Sequence, residues 1–221
     1  MYGAQYFHIG GANNFERKHK EIDKNHIDVK CNNKMHTHFY MTFLIHDLEI
    51  RGNKLEVTSN TIADGVNVIW KVEFPPRDLP VRQVYGLIFD EQGRMLVCND
   101  RGRYNLPGGH PEHDEDWLQT LERECIEEAQ AEYQRPMYLG YVEVTETRGG
   151  VTEVYAQLRF VAALSHLRPE APDPVTGRAY AREFHPPGDV ARLLGWGLHG
   201  DRQIEDGAAL WAIASRRGEQ S

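Results

Sequence analysis

The sequence of this 221-residue chain predicts an α/β fold preceded by a small β-rich segment. Alternating apolar and polar side chains indicate strands, and apolar side chains three or four positions apart indicate helices. The predicted strands cover residues 84–89, 94–97, 137–145, 151–164 and 182–185, and the predicted helices cover residues 189–194, 204–216 and a segment that begins at Asp114. A sheet covered by helices is the stable arrangement for elements of this kind.

The composition changes near residue 77, where we place a domain boundary between residues 1–77 and 78–221. All seven lysines lie at or before Lys71, and every later basic residue is an arginine. The pair Pro75 and Pro76 then interrupts regular structure. Within the first segment, residues 1–35 are polar and weakly periodic, residues 39–50 and 54–58 are typical of a hairpin, and residues 66–74 predict a third strand.

The small sheet predicted for residues 36–76 needs a surface to cover its apolar side chains. A sheet of two or three strands buries too little apolar area to be stable alone. The cover could be the rest of the same chain or a second copy, and a symmetric homodimer through this sheet is our expectation. The side chains that need cover are Phe39, Phe43, Ile45, Val68, Trp70 and Val72.

Charge and cysteine usage restrict the class of partner. The formal net charge is −8 at pH 7, and the excess of acidic side chains lies after residue 75. Such a surface disfavours nonspecific binding to nucleic acid or to an anionic membrane. The three cysteines show neither disulfide nor metal-site spacing, and no signal-peptide or membrane-span pattern occurs. We therefore expect a cytoplasmic protein without a membrane partner.

The segment after Asp114 carries three glutamates on one side of its predicted helix. Glu124, Glu127 and Glu128 are three and four positions apart, so their side chains project within about one quadrant. Like charges at this spacing repel one another unless a cation lies among them. An acidic helix face in solvent would have the same pattern. The turn Leu106-Pro107-Gly108-Gly109 just before it favours a ligand site, because glycines let the backbone approach a ligand closely.

The spacing of these residues resembles the Nudix box. That motif combines a glycine, a glutamate, an Arg-Glu pair and a Glu-Glu pair at set distances. The chain differs at one place, where Gln130 stands for the usual glycine. In the family this glycine helps to end the helix, so we expect the replacement to affect the helix terminus rather than the chemistry. The matching residues are Gly109, Glu115, Arg123, Glu124, Glu127 and Glu128.

The resemblance implies a fold, a reaction and a set of site residues. It implies an α/β/α sandwich with a mixed sheet, and hydrolysis of a nucleoside diphosphate linked to another moiety. Mg²⁺ or Mn²⁺ would be the cofactor. Its ligands would be Glu124, Glu127, Glu128 and the backbone carbonyl of Gly108, with Glu127 and Glu128 also catalytic. Arg123 would orient a neighbouring glutamate, and Glu115 would hold the loop against the helix.

Residues outside the box complete the predicted site. Arg101 and Arg103 precede the glycine turn and could bind a substrate phosphate, because guanidinium groups match phosphate oxygens. They could equally be solvated loop charges. In the family the general base often lies on a loop after the long strands, so the resemblance implies a base on the proline-rich loop 165–181, where Glu170 and Asp173 are the candidates. Glu146 and Glu183 are the next two.

The substrate stays open among a nucleotide-sugar, an ADP-ribose-like compound and a nucleoside triphosphate. Accessory signatures that distinguish Nudix subgroups are not found at their usual places after the box. Two alternative functions also stay open. One is a non-catalytic module that senses a nucleotide-sugar, and the other is a pyrophosphohydrolase acting on RNA 5′ ends. The intact glutamates argue against the first, and the acidic charge argues against the second.

Overall fold

The computed structural model describes residues 58–63, 65–174 and 177–218. The strand predicted for residues 39–50 and nearly all of that predicted for residues 54–58 lie outside the described residues. Within these, the strands are β1 Thr58–Ala63, β2 Val66–Lys71, β3 Val81–Phe89, β4 Met95–Asp100, β5 Arg103–Asn105, β6 Gly108–Gly109, β7 Ala131–Arg148, β8 Val151–Leu167 and β9 Ala181–His185. The helices are α1 Trp117–Ala129, α2 Pro187–Leu194 and α3 Leu198–Gly218.

The nine described strands form one mixed sheet. The main path runs β1-β2-β7-β8-β3-β4-β5, while β6 pairs with β3 and β9 pairs with β4. Only the β3–β8 pair is parallel among the pairs described, and the predicted hairpins β3–β4 and β7–β8 are both antiparallel. β2 bonds to β7 from Val66 to Lys71, so the described strands that precede residue 77 belong to the same sheet. The domain boundary near residue 77 stays a prediction.

Helices cover both faces of this sheet, which confirms the α/β/α sandwich. On one face, Leu121 and Cys125 of α1 pack into a core cluster with side chains of β3, β4 and β8. On the other face, Val190 of α2 and Ile204 and Leu210 of α3 complete a second cluster. All five side chains are at most 2% exposed. The sheet is therefore buried on both sides, as long apolar strands require.

The cover of β2 comes from α3 of the same chain. Val68 and Trp70 are buried in the cluster that α3 completes. The indole Nε1 of Trp70 donates a 2.8 Å hydrogen bond to Asp206, whose carboxylate also pairs with Arg202 at 3.1 Å. These two apolar side chains therefore need no second copy, and the homodimer through the N-terminal segment stays a prediction.

All three described helices begin at other residues than predicted. α2 begins at Pro187, two residues before its predicted start. α1 begins at Trp117, not after Asp114, because the Asp116 side chain accepts from the backbone of Leu118 and Gln119 and forms a capping box. Asp114 has a left-handed φ of 65°, which a helix cannot contain. α3 begins at Leu198, six residues before the predicted start. None of the described helices combines the length and apolar content that crossing a membrane requires.

Candidate active site

The glycine turn before α1 is held against the middle of the sheet. Gly109 and Gly108 pair with Val84 and Tyr85 of β3 as the short strand β6. Gly108 has a φ of 153°, and a Cβ there would collide with the carbonyl oxygen of Val84. A Cβ on Gly109 would collide with the carboxylate of Glu124. Both positions need glycine because the strand and the glutamate approach this backbone too closely for a side chain.

Arg123 of α1 connects three carboxylates at the start of this site. Its Nε donates to Glu115 at 2.8 Å, and its Nη1 donates to Glu124 and to Glu127 at 3.0 Å each. Its Nη2 donates to the carbonyl oxygen of His110 at 2.9 Å. These contacts hold the pKa of the guanidinium above its usual value. A guanidinium group is planar and has several N–H donors, so it can bind several carboxylates at once.

Glu115 joins the loop before α1 to the helix. Besides Arg123, its carboxylate accepts from the Thr120 hydroxyl at 3.0 Å and from the backbone N–H of Glu112 at 3.0 Å. The hydrogen bond from Arg123 contributes most to holding the pKa of Glu115 at about 2. Folding therefore favours the charged form of the Glu115 carboxyl group.

Replacing Glu115 with glutamine is expected to remove a pH-dependent part of the stability. Because the pKa of Glu115 is lowered from 4.5 to about 2 on folding, its contribution is complete above pH 4.5 and lost as the pH falls through about 2. Chemical unfolding of the wild type and Glu115→Gln at a series of pH values measures this. The difference in free energy of unfolding should be constant above pH 5 and shrink toward pH 2. A difference that is independent of pH would contradict the role of the Glu115 charge.

The three glutamates that follow on α1 differ in their surroundings. Burial raises the pKa of Glu128 to about 7, although the backbone N–H of Gly108 donates to its carboxylate at 3.0 Å. Burial also raises the pKa of Glu124, against the opposing effect of Arg123. Each of these two carboxylates is further destabilised by the charges of Glu127 and Asp173. The cluster thus carries repulsion that a cation would relieve.

The donor atoms of this cluster fit a hard divalent ion. No group of three or more His, Cys, Asp or Glu side chains with metal-site geometry occurs in the described part of the chain. Arg123 holds Glu124 and Glu127 by hydrogen bonds. The donors are nevertheless carboxylate oxygens, the ligands that Mg²⁺ and Mn²⁺ prefer, and burial raises the pKa of both Glu124 and Glu128.

Asp173 is the loop acid that the structure places near the cluster. Its charge acts on both Glu124 and Glu128, and the residue is 7% exposed. Its backbone closes a turn, because its N–H donates to the Arg178 carbonyl and its carbonyl accepts from Gly177, both at 2.8 Å. The side chain of Glu170 is 70% exposed and lies 3.6 Å from Arg182. No described contact joins Glu170 to the glutamates.

Glu146 and Glu183, the next two candidates for the general base, make their contacts elsewhere. Glu146 pairs with Arg148 at the end of β7 at 2.5 Å. Glu183 of β9 accepts from the Asn99 amide at 2.7 Å and contacts His185 at 2.8 Å. The hydrogen bonds from Asn99 and then from His185 lower the pKa of Glu183. Neither acid faces the α1 cluster through a contact among the described residues.

Arg101 and Arg103 lie at the exposed turn between β4 and β5. Arg101 has a left-handed φ of 53°, and Asn99 closes the turn by accepting from the N–H of Gly102 at 2.6 Å. Both arginine side chains are exposed. No contact to the glutamates is found for either within the described ranges. Their role as phosphate ligands stays a prediction.

Gln130 ends α1 in the place of the usual glycine. It adopts a left-handed conformation with φ 44° and ψ 39°, and its backbone N–H reaches the carbonyls of Cys125 and Ile126. Its side-chain amide donates to the Glu127 carbonyl at 3.0 Å. The helix terminus is therefore normal in shape, and the side-chain hydrogen bond offsets part of the cost of placing a non-glycine residue there.

Arg159 is a buried cation that is not among the site residues predicted from the sequence. It lies in β8 at 3% exposure, and its guanidinium stacks on the ring of Tyr85, with 4.6 Å to the ring centroid. Burial, and to a smaller extent the charges of Glu128 and Glu124, raise the pKa of the Tyr85 hydroxyl. An arginine inside the apolar run of residues 151–164 was the signal in the sequence, because a charge in such a strand is costly.

Comparison with known proteins gives a family-model match and several similar solved structures. A family model described as the NUDIX domain matches residues 79–204. A pyrophosphohydrolase of Bacillus subtilis is 18% identical, with 57% of this chain and 76% of that chain covered and a TM-score of 0.48. A Nudix hydrolase of Nitrosomonas europaea is 19% identical, with 59% of this chain and 89% of that chain covered and a TM-score of 0.47. An Ap4A hydrolase of C. elegans is 16% identical, with 60% of this chain and 99% of that chain covered and a TM-score of 0.41.

The family assignment rests on the match between this sequence and the family model. The search of curated protein sequences found no match to this chain. The matched residues 79–204 make up more than half of the chain and contain the glycine turn, α1 and the loop that carries Asp173. The chain therefore belongs to the Nudix hydrolase family.

Proposed function

We propose that the protein is a divalent-metal-dependent hydrolase that cleaves the pyrophosphate linkage of a nucleoside diphosphate joined to another moiety. One observation supports this proposal: Glu124 and Glu128 lie against the glycine turn, and Arg123 donates hydrogen bonds to Glu124 and to Glu127. A non-catalytic sensing module would not need this repelling set of carboxylates, which costs stability unless a cation binds.

The residues that would hold Mg²⁺ or Mn²⁺ are Glu124, Glu127, Glu128 and the carbonyl of Gly108. The ion supplies charge that neutralises pyrophosphate oxygens and lowers the pKa of an attacking water. The protein supplies orientation. Glu128 is fixed by the Gly108 N–H at 3.0 Å, and Glu124 lies against Gly109, where no side chain could fit. Carboxylates held in this way need little reorganisation when charge develops in the transition state.

Arg123 would position the carboxylates rather than contact the substrate. It donates to Glu115, Glu124 and Glu127, so one guanidinium sets the directions of two proposed ligands and fastens the preceding loop. Burial raises the pKa of Glu124, and Arg123 opposes this rise, which favours the charged carboxylate that a cation binds.

Asp173 would act as the general base that takes the proton of the attacking water. Its position on the loop 165–181 brings an acid to the cluster from outside α1, and its charge reaches both Glu124 and Glu128. A base must lie within hydrogen-bond reach of the water, directly or through another water. The same loop would act as a lid over the substrate, and Arg101 and Arg103 would contact a substrate phosphate from the β4–β5 turn.

A substrate panel with and without divalent ions tests this proposal. Nucleotide-sugars, ADP-ribose and nucleoside triphosphates are incubated with Mg²⁺, with Mn²⁺ and with excess chelator, and the phosphate-containing products are identified. We expect hydrolysis of the diphosphate linkage that requires the ion. Calorimetric titration with the same compounds separates the alternatives, because binding without turnover would favour a sensing module. Full activity in chelator would contradict the metal-dependent mechanism.

A further inference from the structure

Arg159 is a buried cation that has no carboxylate partner in the part of the chain that the structure describes. Its Nε donates to Gln203 at 2.7 Å, its Nη1 to the Leu158 carbonyl at 3.1 Å, and its Nη2 to Gln157 at a long 3.4 Å. A guanidinium has five N–H donors, so these three bonds leave two donors over. Buried charges are normally paired.

Two aromatic rings hold the guanidinium in place. Tyr85, its register neighbour on β3, lies 4.6 Å from it to the ring centroid, and Trp196 lies 5.5 Å away. Cation–π contacts favour the charge but supply no hydrogen-bond acceptor. Burial lowers the pKa of Arg159 to about 10, and the group stays charged at neutral pH. The site therefore has uncompensated positive charge.

His199 brings a second unsatisfied group to the same place. It is 6% exposed, and its Nδ1 has no hydrogen-bond partner among the described residues. Gln203 connects it with Arg159, because its Nε2 donates to the His199 carbonyl at 3.0 Å while its Oε1 accepts from Arg159. Burial, and then the charge of Arg159, lower the pKa of His199, and Asp201 opposes this effect.

Arg159 and His199 lie on the face of the sheet that α3 covers, opposite α1, and Tyr85 links Arg159 to the glycine turn. The ring of Tyr85 contacts the turn at Gly108, where a Cβ would touch it, and the charges of Glu128 and Glu124 act on its hydroxyl. The guanidinium of Arg159 stacks on the same ring. One aromatic ring therefore lies between this buried positive charge and the glycine turn.

The segment that connects α2 to α3 places Trp196 over the guanidinium of Arg159. Gly195 and Gly197 flank Trp196 with φ values of 60° and 77°, and Leu198 is 68% exposed. Trp196 is half-buried and rests on the guanidinium. Glycines on both sides allow this cover to move without strain in neighbouring residues. A small ligand could therefore reach the two unpaired N–H donors and the imidazole from this side.

We propose that Arg159 and His199 form a second binding subsite, which holds an anionic group of the substrate outside the hydrolysed diphosphate. The group is a phosphate or a carboxylate, since both accept the two remaining guanidinium donors and a protonated imidazole. The link to the substrate rests on the function proposed above, whereas anion binding by the pocket does not. Such a group would select among the nucleoside diphosphate derivatives.

The binding test uses the full chain in excess chelator, where no turnover occurs. Inorganic phosphate and acetate are titrated in parallel at constant ionic strength, and the ring signals of His199 are followed by NMR. His199→Gln assigns the signal by its disappearance. We expect a saturable shift and a raised pKa for His199, because a bound anion favours the charged imidazole. The anion that shifts the signal at lower concentration identifies the preferred chemistry.

Arg159→Met is the decisive variant, and Arg82→Met is its matched control. Arg82 also stacks on a tyrosine, with 4.8 Å to the Tyr155 centroid, but it is exposed and paired with Glu153 at 2.8 Å. We expect Arg159→Met to weaken anion binding about tenfold or more, and Arg82→Met to leave it unchanged. If Arg159→Met does not fold, calorimetry on His199→Gln should show weaker binding. Wild-type affinity in the folded variants, or no saturable shift with either anion, would overturn the subsite.

A kinetic comparison tests the link to the substrate separately. On the substrate found in the panel, Arg159→Met should raise KM at least about tenfold with a smaller change in kcat, because it removes binding rather than chemistry. Unchanged KM would overturn the link. A wild type that binds anions but hydrolyses nothing would contradict the proposed function and leave the anion pocket established.

Discussion

Replacing Glu127 or Glu128 with glutamine is expected to lower kcat by about 10²-fold or more while the fold stays intact. Glutamine keeps the shape of the side chain and removes the negative charge that would hold a divalent ion. Glu128 is fixed by the Gly108 N–H at 3.0 Å. The amide can still accept that bond, so the loss should appear in turnover rather than in folding.

Steady-state kinetics and thermal unfolding of the same variants measure this effect. Glu122→Gln is the matched control, because Glu122 lies on the same helix but is exposed. It should keep wild-type turnover. Glu128→Gln should unfold at the same temperature as the wild type or at a higher one in chelator, since burial raises the pKa of Glu128 and makes its charge unfavourable there. Wild-type kcat in both cluster variants would remove the basis of the proposed mechanism.

Asp173→Asn is expected to reduce kcat by about 10²- to 10⁴-fold, the usual contribution of a general base. Asparagine fills the same volume but cannot take a proton at neutral pH. Asp173 is 7% exposed and acts electrostatically on Glu124 and Glu128, so it is the loop acid best placed for this role. Metal affinity, measured by calorimetry, should change little.

Glu170→Gln is the matched control for Asp173→Asn. Glu170 is three residues away on the same loop, but its side chain is 70% exposed and pairs with Arg182 at 3.6 Å. Its replacement should leave kcat unchanged. If both variants keep the wild-type rate, the base lies elsewhere, and Glu146 and Glu183 become the acids to replace. A large loss in Glu170→Gln alone would contradict the placement of the base.

Much of the fold could be predicted because local patterns follow local structure. The long strands β7 and β8 show apolar alternation over residues 137–145 and 151–164. The pair Gly149 and Gly150 between them predicts the turn of their hairpin. Helix starts were less predictable, because several acids near one another can each cap a helix. Asp114 and Asp116 are both good caps by residue type, and only the backbone conformation shows that Asp116 is used.

The sequence by itself determined the catalytic family and the helix face that carries Glu124, Glu127 and Glu128, because their spacing depends only on the geometry of one helix. Only the tertiary structure decided which distant groups join them. It brings Asp173 to the cluster rather than Glu170, and it places α3 against Trp70. It also buries His199, and it buries Arg159 against the ring of Tyr85. Contacts between residues far apart in the chain depend on the packing of the whole sheet, which no local spacing contains.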